Sequence, residues 1–221
     1  MNKSNSHLEQ ISEIRSLMER SSRFLSLSGL SGVFAGIFAL IGAAAAYFYM
    51  QAYLAGSYHE IAARIPVVLK ISFLNFCLLD AMTVAILSLI SGIFFTYRKA
   101  KKQGLKVWDK LALRLVVSLF IPLITGGLFC LLLLKYNLFG LIAPTTLIFY
   151  GLGLLNASKY TLDEIRYLGI TEIILGLLGV YLLGYGLVIW ALGFGVLHII
   201  YGTLMYWKYE RKSSSAEIEI N

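Results

Sequence analysis

Long apolar runs separated by short polar segments dominate the pattern along this chain. A helix needs about 20 apolar residues to cross the hydrocarbon core of a bilayer, and six runs approach or exceed that length. The fifth run is the shortest, and its ends are poorly marked. The pattern predicts an all-α fold, a polytopic transmembrane bundle of six spanning helices. Their predicted bounds are 26–50, 71–97, 112–134, 138–158, 167–184 and 186–207.

The first 23 residues follow another pattern, with an apolar stripe at helical spacing and charged side chains largely elsewhere. The stripe consists of Leu8, Ile11, Ile14, Leu17 and Met18. We expect an amphipathic helix lying in the membrane interface, with capping of the bundle and binding of a partner as alternatives. The chain then divides into an amphipathic cytoplasmic helix, a six-helix transmembrane domain and a polar cytoplasmic tail. Their bounds are 1–23, 24–208 and 209–221.

Composition supports a lipid environment, because 58% of the residues are hydrophobic and only 14% are charged. The net charge of +7 does not indicate a nucleic-acid partner, since most Lys and Arg lie just outside apolar runs and form no stripe with aromatic residues. The lipid bilayer is the expected partner, and the oligomeric state is left open.

The distribution of cations predicts the orientation. The N-terminus, the 98–114 segment, the 159–166 turn and the C-terminus together hold 16 of the 19 Lys and Arg. Only Arg64, Lys70 and Lys135 fall on the other side. Because short cytoplasmic loops carry the excess of Lys and Arg, both termini are expected to be cytoplasmic, in a multi-pass protein of the cell (inner) membrane.

Small residues indicate where helices approach closely, since lipid gives apolar helices little other reason to associate. The candidate packing glycines are Gly32, Gly36, Gly176, Gly179, Gly195 and Gly202. Folding the last two helices back at Tyr185 sets Gly179 against Ala191 and Gly176 against the Gly193 to Gly195 region. Pro122 and Pro144 each remove a backbone donor and are expected to kink the third and fourth helices.

The same hairpin brings two ionisable groups to one depth. Glu172 lies 13 residues before Tyr185, and His198 lies 13 residues after it. At about 1.5 Å per residue both lie inside the hydrocarbon core, where a lone carboxylate is costly and one paired with an imidazole is tolerated. Two interpretations stay open, a structural clasp between the helices and a proton-linked or ligand-binding site. The clasp is favoured, because hydrogen bonds between helices are common in membrane bundles.

Asp80 is the other acid inside an apolar run, in the outer third of the second helix, preceded by Lys70 and Asn75. An outward-opening polar cavity would account for these residues. Hydrogen bonds to a neighbouring helix and snorkelling of Lys70 would account for them equally.

Enzyme signatures are missing from the sequence, which has no HExxH, Walker A loop or Cys/His cluster with metal-ligand spacing. Gly29-Leu30-Ser31-Gly32 matches the GxSG pattern of rhomboid proteases. In that family, however, the serine lies on the fourth spanning helix, and here it lies on the first. We therefore expect a protein that is not an enzyme, without a metal or cofactor.

The segments SLSGLSGVFAGIFALIGA (26–43) and ALGFGVLHIIYGTLMYWKYER (191–211) resemble those of small bacterial six-helix integral membrane proteins to which no activity is assigned. The resemblance covers both ends of the chain and implies a fold and no function.

The expected function is that of a non-enzymatic membrane component, a sensor or the membrane partner of another protein. Its cytoplasmic face would comprise the N-terminal helix and the basic 98–110 loop. The alternative is a small proton-linked transporter or channel that uses Glu172, His198 and Asp80.

Overall fold

The computed structural model describes residues 24, 26–54, 73–104 and 108–211, and within these it contains helices and turns and no β-strand. We number the helices in chain order. The sixth is one rod in which two short stretches widen to π-helix. The helices are α1 (Gly29–Leu54), α2 (Phe73–Lys102), α3 (Lys110–Lys135), α4 (Ile142–Ala157), α5 (Asp163–Tyr181) and α6 (Gly186–Arg211).

Five helices in the described part of the chain are long and apolar enough to cross a membrane. They correspond to α1, α2, α3, α4 with its flanking 3₁₀ turns, and α6. The described part of the chain is therefore an all-helical bundle of the kind found in membrane proteins. Helix α5 is not among the five, because Asp163, Glu164, Arg166 and Glu172 lower its apolar content.

The helix ends differ from the predicted bounds by a few residues. Helix α2 continues to Lys102 and α6 to Arg211, so the tail predicted to begin at residue 209 is helical for its first three residues. Both extensions carry Lys and Arg, whose long stems remain compatible with a helix that emerges from lipid. The predicted interfacial helix 1–23 lies outside the described residues.

Helix α6 contacts α1, α4 and α5, and so joins the α1–α2 pair to the other helices. Helix α1 contacts α2 on one side and α6 on another, α6 contacts α5, and α4 packs between α3 and α5. Helices α2 and α3 are peripheral, since only 6% of the most apolar stretch of each is buried, against 33% for α4. Their outward faces present large apolar side chains such as Ile93, Phe94, Ile121 and Leu128.

Glycine allows α1 and α6 to touch through their backbones. A Cβ atom at Gly202 would lie 2.6 Å from the Val33 nitrogen and 2.7 Å from the Gly29 oxygen. A Cβ atom at Gly36 would lie 2.6 Å from the Gly195 oxygen. The close-packing face predicted for the first helix is thus present, and its partner is α6.

The partner predicted for Gly176 is wrong, because a Cβ there would lie 2.9 Å from the Pro144 oxygen of α4. Gly179 contacts both helices, since a Cβ there would lie 3.1 Å from the Pro144 ring of α4 and 3.6 Å from Ile189 of α6. Gly195 instead packs against Leu40 of α1. The prediction folded α5 back onto α6 alone. Helix α4 also packs against α5 and contacts the face of α5 that carries the small residues.

The two prolines have different effects. Pro122 lies inside α3, where it leaves the carbonyl of Ser118 without its usual intrahelical donor. The Asn156 side chain of α4 supplies that donor, with Nδ2 3.0 Å from the Ser118 oxygen. Pro144 lies in the first turn of α4, where a missing N–H breaks no helical bond, so the kink predicted there has no cause.

Replacing Asn156 with Leu is expected to lower the free energy of unfolding by about 1 to 2 kcal/mol, because the partly buried Ser118 carbonyl then loses its donor. Unfolding in mixed detergent micelles measures this. In a Pro122→Ala background the helical bond is restored and the same change should cost less, so equal losses in both backgrounds would contradict the assignment.

Charged residues gather at one end of the bundle. The Gly29 nitrogen, at the start of α1, donates to Oε1 of Glu210 at 2.7 Å, and Ser28 Oγ donates to the same oxygen at 3.1 Å. Lys99 donates to the Leu27 carbonyl at 2.7 Å, and its Nζ lies 3.7 Å from Glu210. The last turn of α6 therefore caps the first turn of α1.

The turn between α4 and α5 joins this charged end. The Phe24 nitrogen donates to the Tyr160 carbonyl at 2.7 Å, and the buried Thr161 hydroxyl donates to the Phe24 carbonyl at 2.9 Å. Lys208 of α6 pairs with Glu164 of α5 at 2.6 Å. The beginning of α1, the α4–α5 turn and the end of α6 thus form one connected face.

Candidate functional site

Glu172 is the most deeply buried ionisable side chain described in this structure, with no exposed surface. It projects from α5 towards α6, where Gly193 faces its carboxylate and Leu147 of α4 packs beside the same glycine. A Cβ atom at residue 193 would overlap the carboxylate. Gly193 therefore leaves the space that the Glu172 side chain occupies.

His198 of α6 lies beside this carboxylate and is 5% exposed. Its Nδ1 is 3.4 Å from Oε1 of Glu172 and 3.1 Å from the carbonyl oxygen of Gly193. The contact between Glu172 and His198 expected from the sequence is present. The imidazole edge that faces Glu172 is thus shared between a side chain and a backbone carbonyl.

The second imidazole nitrogen contacts α4, where Tyr150 Oη lies 2.8 Å from His198 Nε2. A proton on Nδ1 satisfies both sides of the ring, since Nδ1–H then donates to Gly193 and the tyrosine hydroxyl donates to Nε2. His198 therefore joins three helices, α4 through Tyr150, α5 through Glu172 and its own helix through Gly193. We call Tyr150, Glu172 and His198 the buried triad.

The backbone of α6 is adapted at this point. Residues Ala191–Leu197 form a π-helical stretch that ends directly before His198. A π turn shifts the helical hydrogen bonds by one residue and changes which carbonyls are free to accept from side chains. The Gly193 carbonyl accepts from the ring of His198, which lies five residues later. The π-helical stretch therefore provides a backbone acceptor for His198.

Aromatic rings cover the imidazole. Phe194 stacks near His198 with 5.8 Å between ring centroids, and Tyr150 lies 4.9 Å from Phe194 by the same measure. Trp190 extends the cluster, with its ring 5.0 Å from that of Phe194. These rings surround the imidazole with apolar surface, which strengthens each polar contact and raises the cost of losing one.

The Glu172 carboxylate is the weak member of the triad. Among the described residues neither of its oxygens has a hydrogen-bond partner, and its contact with His198 at 3.4 Å is long for a charge-assisted bond. A buried acid with so little compensation costs stability by itself. The fold consequently tolerates the buried Glu172 carboxylate because His198 lies beside it.

Asp80 is not brought to the triad. Its carboxylate faces the backbone of α1, where a Cβ at Gly42 would lie 3.2 Å from Oδ2. Asn75 is exposed near the start of α2, and Lys70 lies outside the described residues. Asp80 belongs to α2 and His198 belongs to α6. Because α1 packs against both helices, it separates Asp80 from the triad along the predicted polar route.

Metal binding finds no support in the described residues, which contain no group of three or more His, Cys, Asp or Glu placed to hold an ion. Cys77 and Cys130 are unpaired thiols on α2 and α3. Ser31 of the GxSG match donates its hydroxyl to the Ser28 carbonyl in the first turn of α1, a local helix contact.

Sequence reasoning missed Tyr150, and it placed Gly193 only in a close-packing region opposite Gly176. A signal for Tyr150 exists, because a tyrosine in the middle of an apolar run needs a partner for its hydroxyl, and few polar residues share its depth. No comparable signal marks Gly193, whose role depends on the direction of the Glu172 side chain. At the charged end, Lys99 was counted only as a topology signal, and Glu210 was given no role.

Comparison with protein-family models, with curated proteins and with solved structures finds no match for this chain. Its function therefore has to be argued from its own residues.

Proposed function

We propose that this chain is a non-enzymatic integral membrane component, a sensor or the membrane partner of another protein, whose buried triad holds helices α4, α5 and α6 together. The observation that carries the proposal is that His198 engages a different neighbour with each ring nitrogen while Glu172 has no exposed surface. A group arranged in this way joins helices and presents no face to a solute.

Six membrane crossings, with α5 as the fifth, fit the contacts best. The Gly29 nitrogen begins the first span and donates at 2.7 Å to Glu210 near the end of the last. An odd number of crossings would separate these residues by about 30 Å of hydrocarbon. Helix α5 has 19 residues and a length of about 28 Å, which is sufficient for the additional crossing.

The charged end is proposed to face the cytoplasm. Within the described residues ten Lys and Arg lie at this end, and Lys135 alone lies at the other. Short cytoplasmic loops carry such an excess, so both ends of the described bundle would lie on the cytoplasmic side of the cell membrane. A protein partner would then contact this end, together with the predicted helix 1–23.

A small proton-linked transporter or channel is the second candidate. It would need a wet path that joins Asp80 with Glu172 and His198. The position of α1 between these groups, and its glycine-to-backbone contact with α6, favour the first proposal.

Proton flux into liposomes that contain the purified chain tests the choice. We expect the flux to equal that of protein-free liposomes at every imposed pH gradient, and Glu172→Gln to leave it unchanged. Flux above this background that disappears in both Glu172→Gln and Asp80→Asn would replace the proposal with the transporter. Lys135→Gln is the matched control for a change of charge outside the proposed path.

The partner function has its own test. Affinity purification of the tagged full chain from gently solubilised membranes should recover an associated protein in fixed proportion, and removal of residues 1–22 should abolish its recovery. Recovery that is unchanged by the truncation would count against a role for the N-terminal segment. No stoichiometric partner in either case would count against the partner function itself.

A further inference from the structure

The cytoplasm-facing ends of α2 and α3 combine exposed cations with exposed apolar faces. Arg98 and Lys101 near the end of α2, and Lys110 and Arg114 in the first turns of α3, are all exposed. We propose that these four side chains bind the phosphate headgroup of anionic phospholipids. We call them the basic rim.

Few acids oppose the rim in the part of the chain that the structure describes. Four acids lie at the charged end of the described residues against ten Lys and Arg. Asp109 accepts from the Ala112 nitrogen at 2.7 Å and caps α3, Glu164 pairs with Lys208, and Glu210 caps α1. With four acids against ten cations, the net charge of the described residues at this end stays positive.

The apolar surface continues from the rim in both helices. On α2, Ile90 and Phe94 are exposed at one-turn spacing and lead to Arg98. On α3, Val117 and Ile121 are exposed and follow Arg114 at the same spacing. Side chains three and four residues apart share a helix face, so each cation stands at the end of an apolar stripe.

This geometry matches a phospholipid in both of its parts. Acyl chains would lie along the exposed stripes of the two peripheral helices, and the headgroup would meet the cations where the helices leave the hydrocarbon. Cations near a membrane surface each contribute about 1 kcal/mol of attraction to anionic lipid, which corresponds to about a fivefold preference per cation. A free phosphate ion would make the charge contacts and would gain nothing from the stripes.

Tryptophan provides a reporter at the rim. Trp108 is 69% exposed and directly precedes the residue that caps α3. The chain has three tryptophans, so Trp190→Phe with Trp207→Phe leaves Trp108 alone. The full-length reporter chain is reconstituted into vesicles of phosphatidylcholine mixed with phosphatidylglycerol, and one lipid at a time carries brominated acyl chains that quench tryptophan fluorescence.

The expected result is a preference for phosphatidylglycerol over phosphatidylcholine of about fivefold or more around Trp108, which weakens as salt is added. Replacement of Arg98, Lys101, Lys110 and Arg114 with Gln should abolish it. Lys135→Gln, at the other end of α3, should preserve it. Equal quenching by the two lipids in the reporter chain would overturn the proposal even if the four-fold variant fails to fold.

Competition with inorganic phosphate shows whether the basic rim binds a lipid headgroup or the free phosphate ion. Millimolar phosphate should displace the brominated lipid no better than chloride at equal ionic strength. Stronger displacement by phosphate would mean a site for the free ion and would overturn the lipid assignment. The test requires only that the chain lie in a bilayer, so its failure leaves the proposed partner and transport functions unaffected.

Discussion

His198→Ala is expected to lower the free energy of unfolding by about 3 kcal/mol, because it leaves Glu172 in the core without its nearest counter-group. The substitution also removes the hydrogen bond at 2.8 Å to Tyr150. Glu172 has no exposed surface in the folded bundle, so water cannot replace the contact that it loses. Unfolding of the purified protein by dodecyl sulfate in mixed micelles, followed by circular dichroism, measures the change.

Glu172→Gln separates the free-energy cost of burying the acid from the cost of losing its contact with His198. The amide has nearly the same shape and no charge, so we expect a change within about 1 kcal/mol. In that background His198→Ala should cost far less than in the native chain, which makes the pair strongly non-additive. Additive losses would mean that the two side chains act independently, and the proposal that the triad holds three helices would lose its basis.

Gly202→Ala is the second substitution with a large expected effect, about 2 to 3 kcal/mol of destabilisation. The nearest atoms around the added methyl group belong to the backbone of Gly29, Gly32 and Val33. No side-chain rotation can relieve this contact, so α1 and α6 must move apart. The same unfolding titration in mixed micelles gives the magnitude.

Other glycines provide graded controls for this effect. A Cβ at Gly32 would lie 3.2 Å from the Gly202 Cα, which predicts a smaller loss for Gly32→Ala. Gly92 and Gly127 have no atom within 4 Å of the added group, and alanine there should be neutral or slightly stabilising. Equal losses at Gly202 and Gly92 would show that close packing does not explain the loss at Gly202, since helix propensity favours alanine at both positions.

Much of the helical layout could be predicted from the sequence, because a spanning helix needs a run of apolar residues and little else in this chain has that length. The ends were less predictable. The predicted end of α2 at residue 97 stopped at the first cation, whereas Lys99 remains helical and buried by donating to Leu27. Whether a cation ends a helix depends on partners that are distant in the sequence.

Helix partners were harder to predict than helices. Spacing correctly marked Gly36 and Gly176 as close-contact positions. It did not identify the helix that each glycine contacts, because several helices are apolar and carry small residues. Assuming that neighbours in sequence pack most closely set Gly176 against α6, and the structure sets it against Pro144 and Ile148 of α4. Which helices meet depends on how side chains of different size pack together in three dimensions. The spacing of residues along the chain does not give this information.

The candidate site was predictable in part. Equal distances from Tyr185 fixed the depth of Glu172 and His198, since rise per residue is constant in a helix. Tyr150 lies on another hairpin, for which no such reflection exists. The π-helical stretch Ala191–Leu197 was also not predictable, because its local composition of small and apolar residues suits an ordinary α-helix equally well.

The contact between Gly29 and Glu210 spans 181 positions in the chain. During synthesis the first helix enters the bilayer long before its capping carboxylate and its glycine-rich partner surface exist. Until α6 is inserted, the leading amides of α1 have to be satisfied by water, headgroups or an assisting protein. This contact can therefore form only after residue 210 has been made, and a chain interrupted before that point leaves the first turn of α1 without this cap.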